Sequence, residues 1–424
     1  MRKTKRGAVI RPRPFFFGRP KRYVLGMTAD NIHRCDVAIA GGGPVGLTLA
    51  LALAARGFDV SIADAAAPPG QGPGDSRAYF IAYGCWRIFR ALGLEAQLLP
   101  HAEPVLQVEA EGRLGGISFI AEECAEPALG YMIEGSALVA ALHAAATAHP
   151  RVRLMSRAKI DAVAFGAAEA KLTVGELALA ASLVVGCDGA KSLVRNAAGL
   201  RFEGHDYDAA AISTTIRLGK PHNGMARQIF LPRGPMAVLP LRSDRANLIW
   251  TERKAIAEAL VDLSDADFER ELAKAAGDFL PEARLAGPRH AFPLRLHVAE
   301  RFDGHRVALA GDAAHVIHPL AGQGLNLGLK DVAALVDIIA EAQRVGLDIG
   351  AESALAPYTA WRRADVAATA AAMEGFARAF TSPLPVRLAA GAAMAAAGVI
   401  PGARKLFARE AGGDLGELPS LMVR

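Results

Sequence analysis

Residues 36–46 read Asp36-Val37-Ala38-Ile39-Ala40-Gly41-Gly42-Gly43-Pro44-Val45-Gly46, and the order of these residue types decides the fold. The apolar run 36–41 has the length of a short buried parallel strand. Leu47–Ala55 continues as an apolar, alanine-rich helix, and Asp59–Ala63 makes a second strand that ends at Asp64. In such a unit Gly41 allows the tight turn out of the strand, and Gly43 lets the backbone approach a pyrophosphate. Gly46 lets the helix lie close to the sheet. Pro44 and Val45 complete the loop, and the free amides and positive end of the helix face the phosphates. Asp64, 23 residues after Gly41, is placed to accept from ribose hydroxyls. Glycines serving only a tight turn are the plain alternative. The strand–loop–helix–strand context and the following acid weigh against it. The unit does not itself separate one dinucleotide from another.

Working outward, 424 residues are enough for two domains or one large discontinuous one. A composition 52% hydrophobic and 21% charged supports a sizeable core. The net charge of +5 comes from the N-terminus: residues 1–34 hold ten Lys or Arg and one acid, net +9. The rest carries 38 basic against 42 acidic residues, net −4. A nucleic-acid partner needs basic side chains on a folded face, and these lie on an irregular tail. That tail reads as an organelle transit peptide, as a segment attracted to anionic lipid, or as a basic disordered extension preceding a start at Met27. Cys35, Cys85, Cys124 and Cys187 form no CxxC pair, so neither a zinc site nor a disulfide framework is expected, and a reducing cytoplasmic setting fits. The apolar stretch Leu388–Ile400 is too short to span a bilayer, which leaves it to the core or a membrane surface.

Two further motifs narrow the chemistry. Leu183-Val184-Val185-Gly186-Cys187-Asp188-Gly189 is a buried strand ending in Asp-Gly, and Ser192 and Arg195 follow at a helix start. Later, Arg306–Ala310 is a strand followed by Gly311-Asp312-Ala313-Ala314-His315. Then comes Pro319-Leu320-Ala321-Gly322-Gln323-Gly324-Leu325-Asn326. The helix after it is apolar at Leu325, Leu329, Val332, Leu335, Val336 and Ile339. A carboxylate, a glycine loop and a helix N-terminus suit a polyol chain and a ring that gains negative charge. Asp312 can accept from ribityl hydroxyls, and amides around Gly322–Asn326 can face the pyrimidine ring of a reduced flavin.

In this order and spacing the three motifs resemble those of the class A FAD-dependent monooxygenases. DGxxSxxR is matched by Asp188, Gly189, Ser192 and Arg195, and GDAAHxxxPxxGQGxNxxxxD is matched from Gly311 to Asp331. Arg77 stands where the family places an arginine beside the flavin. Within the class, Asp75–Tyr83, Gly234–Leu241, Phe292-Pro293-Leu294 and His318–Leu329 look most like the ubiquinone-biosynthesis (2-polyprenyl-6-methoxyphenol) hydroxylases. The resemblance runs from about Cys35 to the C-terminus. It departs at Asp64, where many relatives place Glu, and in the middle of the chain, which matches only in patches.

The resemblance implies an α/β protein. Its FAD-binding Rossmann-like body is of the glutathione-reductase and para-hydroxybenzoate-hydroxylase type, taking 35–104, 131–204 and 289–345. An antiparallel-sheet substrate domain takes 105–130 and 205–288, and a helical region takes 346–424. It implies hydroxylation of an aromatic ring, most suitably a polyprenylated phenol, through a flavin C4a-hydroperoxide. Dioxygen and NADPH or NADH are then co-substrates, and no side chain need act as nucleophile. Such a substrate favours peripheral association with the inner membrane or a biosynthetic complex. Val238, Leu239, Pro319 and Leu320 are the expected pocket walls. His315 and His318 have no partner cluster for a metal. Trp86, Trp250 and Trp361 are isolated core or wall residues, and Arg362-Arg363 reads as an exposed helix face. Rival readings are a class A hydroxylase or epoxidase acting on another aromatic or polyene, and a non-catalytic lipid carrier on the same fold. The intact Gly41–Gly46, Asp64 and Asp312 speak against the carrier. A plain NAD dehydrogenase leaves the third motif unexplained.

Overall fold

The computed structural model describes residues 31–71, 77–112, 115–124, 126–317, 322–382 and 384–423. Three sheets organise them. The first has eight strands: β1 (Ile32–Ala40), β2 (Val60–Ala63), β8 (Val152–Met155), β9 (Ala162–Phe165), β10 (Ala170–Val174), β11 (Leu177–Gly186), β18 (Asp303–Gly304) and β19 (Val307–Leu309). Its centre runs β19-β11-β1-β2-β8, all parallel, so the strands end together at one edge. Val37–Ala40 and Leu183–Val185 are fully buried, as continuous apolar runs in a sheet covered on both faces should be. Alanines make α1 (Pro44–Ala55) slim, and its middle residues are nearly all buried.

The second sheet has nine strands: β5 (Gln107–Gly112), β6 (Gly115–Ile120), β12 (Phe202–Arg217), β13 (Met225–Leu231), β14 (Gly234–Leu241), β15 (Arg245–Arg253), β16 (Arg284–Leu285), β17 (His290–Ala299) and β20 (His315–Val316). Its pairs are antiparallel except β13 with β5, which run parallel. The stretch 289–345, grouped above with the cofactor-binding segments, begins with β17. That strand is hydrogen-bonded to β12 in the nine-stranded sheet. A small third sheet joins β3 (Ala78–Ala82), β7 (Gly130–Glu134) and β4 (Ala102–Val105).

Helices fill the faces. Those outside the C-terminal region are α2 (Tyr83–Ala91), α3 (Glu95–Leu98), α4 (Gly135–Ala148), α5 (Leu193–Ala197), α6 (Lys254–Val261), α7 (Asp265–Ala276) and α8 (Gln323–Arg344). The chain closes with α9 (Glu352–Thr381), α10 (Leu384–Val399) and α11 (Pro401–Ala411). One core packs the eight-stranded sheet against α1, α4 and α8, and a second packs one face of the nine-stranded sheet against α6 and α7. The last residues are tied back. Arg87 donates to Asp414 and to the Met422 carbonyl, and Ser420 bonds Asp337. Among the described residues no helix is long and apolar enough to cross a membrane.

Candidate functional site

A cavity of about 560 Å³ lies between the carboxyl edge of the parallel sheet and the free face of the nine-stranded sheet. That is the usual size for a small-molecule site. Each glycine motif leaves a parallel strand and delivers a loop to it. After β1, Gly43, Pro44 and Val45 line the cavity, and after β11, Gly189 does. After β19 the lining comes from Gly311 and Asp312, then from Gly322–Leu325 at the start of α8. Arg77 and the start of β3 form a further side. The chain from β19 to β20 crosses from one sheet to the other, so the third motif joins both walls.

The geometry explains which glycines are obligatory. Gly41 has φ of +99°, and a Cβ there would lie 2.4 Å from the Cys187 carbonyl. A Cβ on Gly46 would lie 2.0 Å from the Gly41 carbonyl. Neither lines the cavity. They bring strand, loop and helix together from behind. Gly43 is the opposite case, because nothing lies within 4 Å of an added Cβ. The space it keeps open belongs to the cavity, at the N-terminus of α1. The residues present therefore fit a long, anionic dinucleotide: two helix N-termini, α1 and α8, open onto one cavity whose glycine edges leave room for a backbone-to-phosphate approach.

The acids divide by task. Asp64 stands at the end of β2, where Oδ1 accepts from the Ala66 amide and Oδ2 lies beside Gly42. Asp188 lies behind the wall: its Oδ2 accepts from the Leu193 and Val194 amides (2.7 and 3.2 Å), capping α5 beside the Ser192 cap. Arg195, buried over the Phe202 ring at 3.8 Å, donates to the Ala313 and Ala190 carbonyls, so the second motif clamps the third. Asp312 is exposed to the cavity, and protein closes around that cavity. Enclosure pushes its carboxyl above the usual range, and His315 and Arg77 offset this in part. Asn326 does not reach the lining. Its amide side chain accepts from the Ala82 amide and donates to the Phe80 carbonyl, both at 2.9 Å, acting as a surrogate strand neighbour for β3. Pro319 and Leu320, expected in the loop and the pocket wall, lie outside the described residues, as does His318.

Two expectations are corrected. Leu239 lines the cavity, but Val238 points into the core against α6 and α7. Neighbours along a strand face opposite sides, so both residues cannot be wall. Arg362 is not on an exposed face, being 2% exposed. Its Nε donates to Asp331 Oδ1 at 2.7 Å and its Nη1 to Asp365. Asp331, fully buried on α8, also accepts from the Gly311 amide at 2.9 Å and pairs with His315 Nε2 at 2.6 Å. Burial alone would push Asp331 up and Arg362 down. Attraction to His315 and Arg362 instead holds the Asp331 carboxyl below its usual range, and the attraction between Asp331 and Arg362 raises the guanidinium. His315 is thus packed and hydrogen-bonded, though it opens the short strand β20 rather than lying in a loop, and among the described residues no group of three His, Cys, Asp or Glu could hold a metal. Asp331 ends a recognised motif, yet only the fold brings Arg362 to it. The nearest sequence hint is the Arg362/Asp365 spacing. Trp86 stacks on Tyr131 at 4.2 Å in the core, and Trp250 meets Phe268 behind the sheet.

Comparison with known proteins agrees with this architecture. The FAD binding domain family matches residues 34–373. A ubiquinone hydroxylase of Rhodospirillum rubrum is 37% identical over 405 residues, covering 94% of each chain. A 3-demethoxyubiquinol 3-hydroxylase of Escherichia coli is 35% identical, covering 82% of this chain and 91% of its own. Among solved structures, the p-nitrophenol 4-monooxygenase of Pseudomonas putida superposes with a TM-score of 0.76 at 20% identity, over 91% of this chain and all of that one. Fold and site define an FAD-dependent monooxygenase of the para-hydroxybenzoate-hydroxylase type. Within that class the chain belongs to the family of the ubiquinone-biosynthesis hydroxylases.

Proposed function

We propose that the enzyme hydroxylates the ring of a polyprenylated phenol within ubiquinone biosynthesis, using dioxygen and NADPH or NADH. The observation that carries this reading is the two-sided cavity. Backbone-rich glycine loops form one wall, and the sheet presents Ala211, Ala237, Leu239, Ile249, Phe292 and Leu294 on the other. Apolar area there suits a hydrocarbon-bearing ring, at roughly 25 cal/mol per Å² removed from water. The names of the relatives, a ubiquinone hydroxylase and a 3-demethoxyubiquinol 3-hydroxylase, support the same substrate class.

Bound FAD supplies the oxygen-activating chemistry. The chain's own residues bind, orient and enclose. In this reading Gly43, Pro44, Val45 and the α1 N-terminus receive the pyrophosphate, with Asp64 on the adenosine ribose. Asp312 accepts from the ribityl hydroxyls. Gly322–Leu325 at the α8 N-terminus favour the anionic reduced ring, with Arg77 and Gly189 beside it. Gly41, Gly46, Asp188, Gly311 and Asn326 hold those loops in place. The apolar sheet face excludes water from the reacting ring. A peripheral place at a membrane or in a biosynthetic assembly follows from an insoluble substrate.

The test begins with the absorption spectrum of the purified protein and acid release of its pigment. The FAD-loaded enzyme is then given reductant, oxygen and a short-chain prenylated phenol. Reductant consumption coupled to a product one oxygen heavier is the expected result. Efficient turnover of water-soluble phenols with none of the prenylated one would overturn the substrate class.

A further inference from the structure

Asparagine is a poor strand residue, because its short amide competes for backbone hydrogen bonds. Asn247 nevertheless sits in β15, an inner strand bonded by β12 on one side and β14 on the other. Its neighbours Ala246 and Leu248 are fully buried on the opposite face, toward α6 and α7. Alternation therefore turns Asn247 to the cavity with Ile249 and Thr251, and it is 2% exposed. A residue that breaks a local rule in a well-packed strand marks a functional position more often than an accident.

Its hydrogen bonds define what it offers. Asn247 Nδ2 donates to the Thr214 carbonyl at 3.3 Å and to Ser213 Oγ at 3.2 Å. A carbonyl only accepts, so the nitrogen must face Thr214 and Oδ1 must face away. Oδ1 accepts nothing from any described residue. Ser213, also a cavity residue, receives the amide bond on its oxygen and keeps its own proton to give. Together the pair holds one covered acceptor without a partner among the described residues, Asn247 Oδ1, and one donor, the Ser213 hydroxyl, just behind an apolar wall. Arg77 and Asp312 lie on the loop side of the cavity; on the sheet side the charged residues are Arg227 and Glu109, paired with each other, and Arg295, paired with Asp206. A carbonyl acceptor beside aliphatic side chains repels a carboxylate and suits a neutral hydroxyl.

We infer that Asn247 and Ser213 form the subsite that receives the ring hydroxyl of the substrate, its O–H donating to Asn247 Oδ1 and its oxygen accepting from Ser213. The inference rests on the reading of the cavity as a phenol site. It makes Asn247 a residue that fixes which ring carbon is presented, since a ring held by its hydroxyl has few remaining rotations.

The FAD-loaded enzyme tests this with two probes, a short-chain prenylated phenol and its methyl ether, titrated by the perturbation of flavin absorbance. Wild type should bind the phenol roughly tenfold more tightly than the ether. Asn247→Leu, close in volume, should bring that ratio near one while the ether binds as before, whereas Ser213→Ala should weaken phenol and ether alike, since both keep the ring oxygen that accepts from Ser213. Comparing two ligands within one variant cancels any general loss of packing. If Asn247→Leu does not fold, Asn247→Ala, read by the same ratio, decides alone. A ratio unchanged in the Asn247 variant, with phenol hydroxylation intact in wild type, overturns the inference and leaves the proposed function standing. A wild type that hydroxylates no phenol overturns both.

Discussion

The two large sheets serve the same cavity in different ways. The parallel sheet works by its edge: β1, β11 and β19 end together, and each hands a glycine loop to the site. The nine-stranded sheet works by its face, contributing every second residue of β12, β14 and β15 while the alternate residues build a separate core. An edge binds with backbone amides, so it needs glycine at fixed intervals. A face binds with side chains, so it needs only period-two alternation and tolerates many identities.

The largest expected effect strikes at what holds the edge together. Asp331→Ala leaves Arg362 and His315 buried without their partner and frees the Gly311 amide. It should cost about 3–5 kcal/mol in denaturant unfolding. With Asp331 itself, acidification should remove that contribution. Its native carboxyl lies below the unfolded value, so the stabilisation is present above roughly pH 4 and is lost as pH falls through the lowered native range. A loss under 1 kcal/mol would show that the network is dispensable.

Next comes the edge surface. Gly43→Val fills cavity space without touching protein, so the apoprotein should unfold as wild type does while FAD binding weakens by about 100-fold, or about 2.7 kcal/mol. Unchanged FAD affinity by fluorescence titration would remove Gly43 from the phosphate site.

The face makes a sharper comparison, because two adjacent residues should behave oppositely. Val238→Ala should cost roughly 1–3 kcal/mol of stability with substrate KM unchanged. Leu239→Ala should cost less stability and raise KM for an apolar phenol roughly tenfold. Equal effects on KM would break the two-face description. The smallest effect is at Asp312. Its native carboxyl is raised, so folding favours the protonated form and stability falls as pH rises from the unfolded value through the raised one. Asp312→Asn should therefore raise apoprotein Tm at pH 7, with the gain fading toward pH 4, while FAD affinity drops. A Tm difference independent of pH would contradict this.

The same contrast explains what the sequence made legible. Gly41, Gly46 and Gly311 could be read because backbone geometry demands glycine there, and Gly43, Asp64 and Asp312 because they stand at fixed places in the same motifs. The strands followed from apolar runs such as Val37–Ala40; β19 lies within a residue of its run, whereas β1 and β11 begin at Ile32 and Leu177, four and six residues ahead of the runs read at 36 and 183. Asn326 and Asp188 were found as motif members, but their tasks, bracing β3 and capping α5, depend on partners the motif does not contain. Arg362 was misplaced because two arginines after a tryptophan on a helix look solvent-facing until α8 brings Asp331 against them. Asn247 carried no motif at all. Its signal is a polar residue in an apolar strand, which gains meaning only when the opposite wall is known.

The interleaved order of the parallel sheet bears on how the chain is made. Ile39 in β1 pairs with Val185 in β11, and Val185 pairs with Ala308 in β19. During synthesis the first glycine loop therefore emerges long before the neighbour that positions its strand, and the third loop comes later still. Closing such distant pairings is slow, and their apolar edges stay open meanwhile. A chain stalled before β19 leaves Val184–Gly186 of β11 unpaired on the side where β10 covers only Leu177–Ala181, and it lacks the third loop altogether. Maturation into a flavoprotein is consequently a late event on the ribosome or just after release, and the nascent chain's need for a chaperone should be greatest between those two pairings.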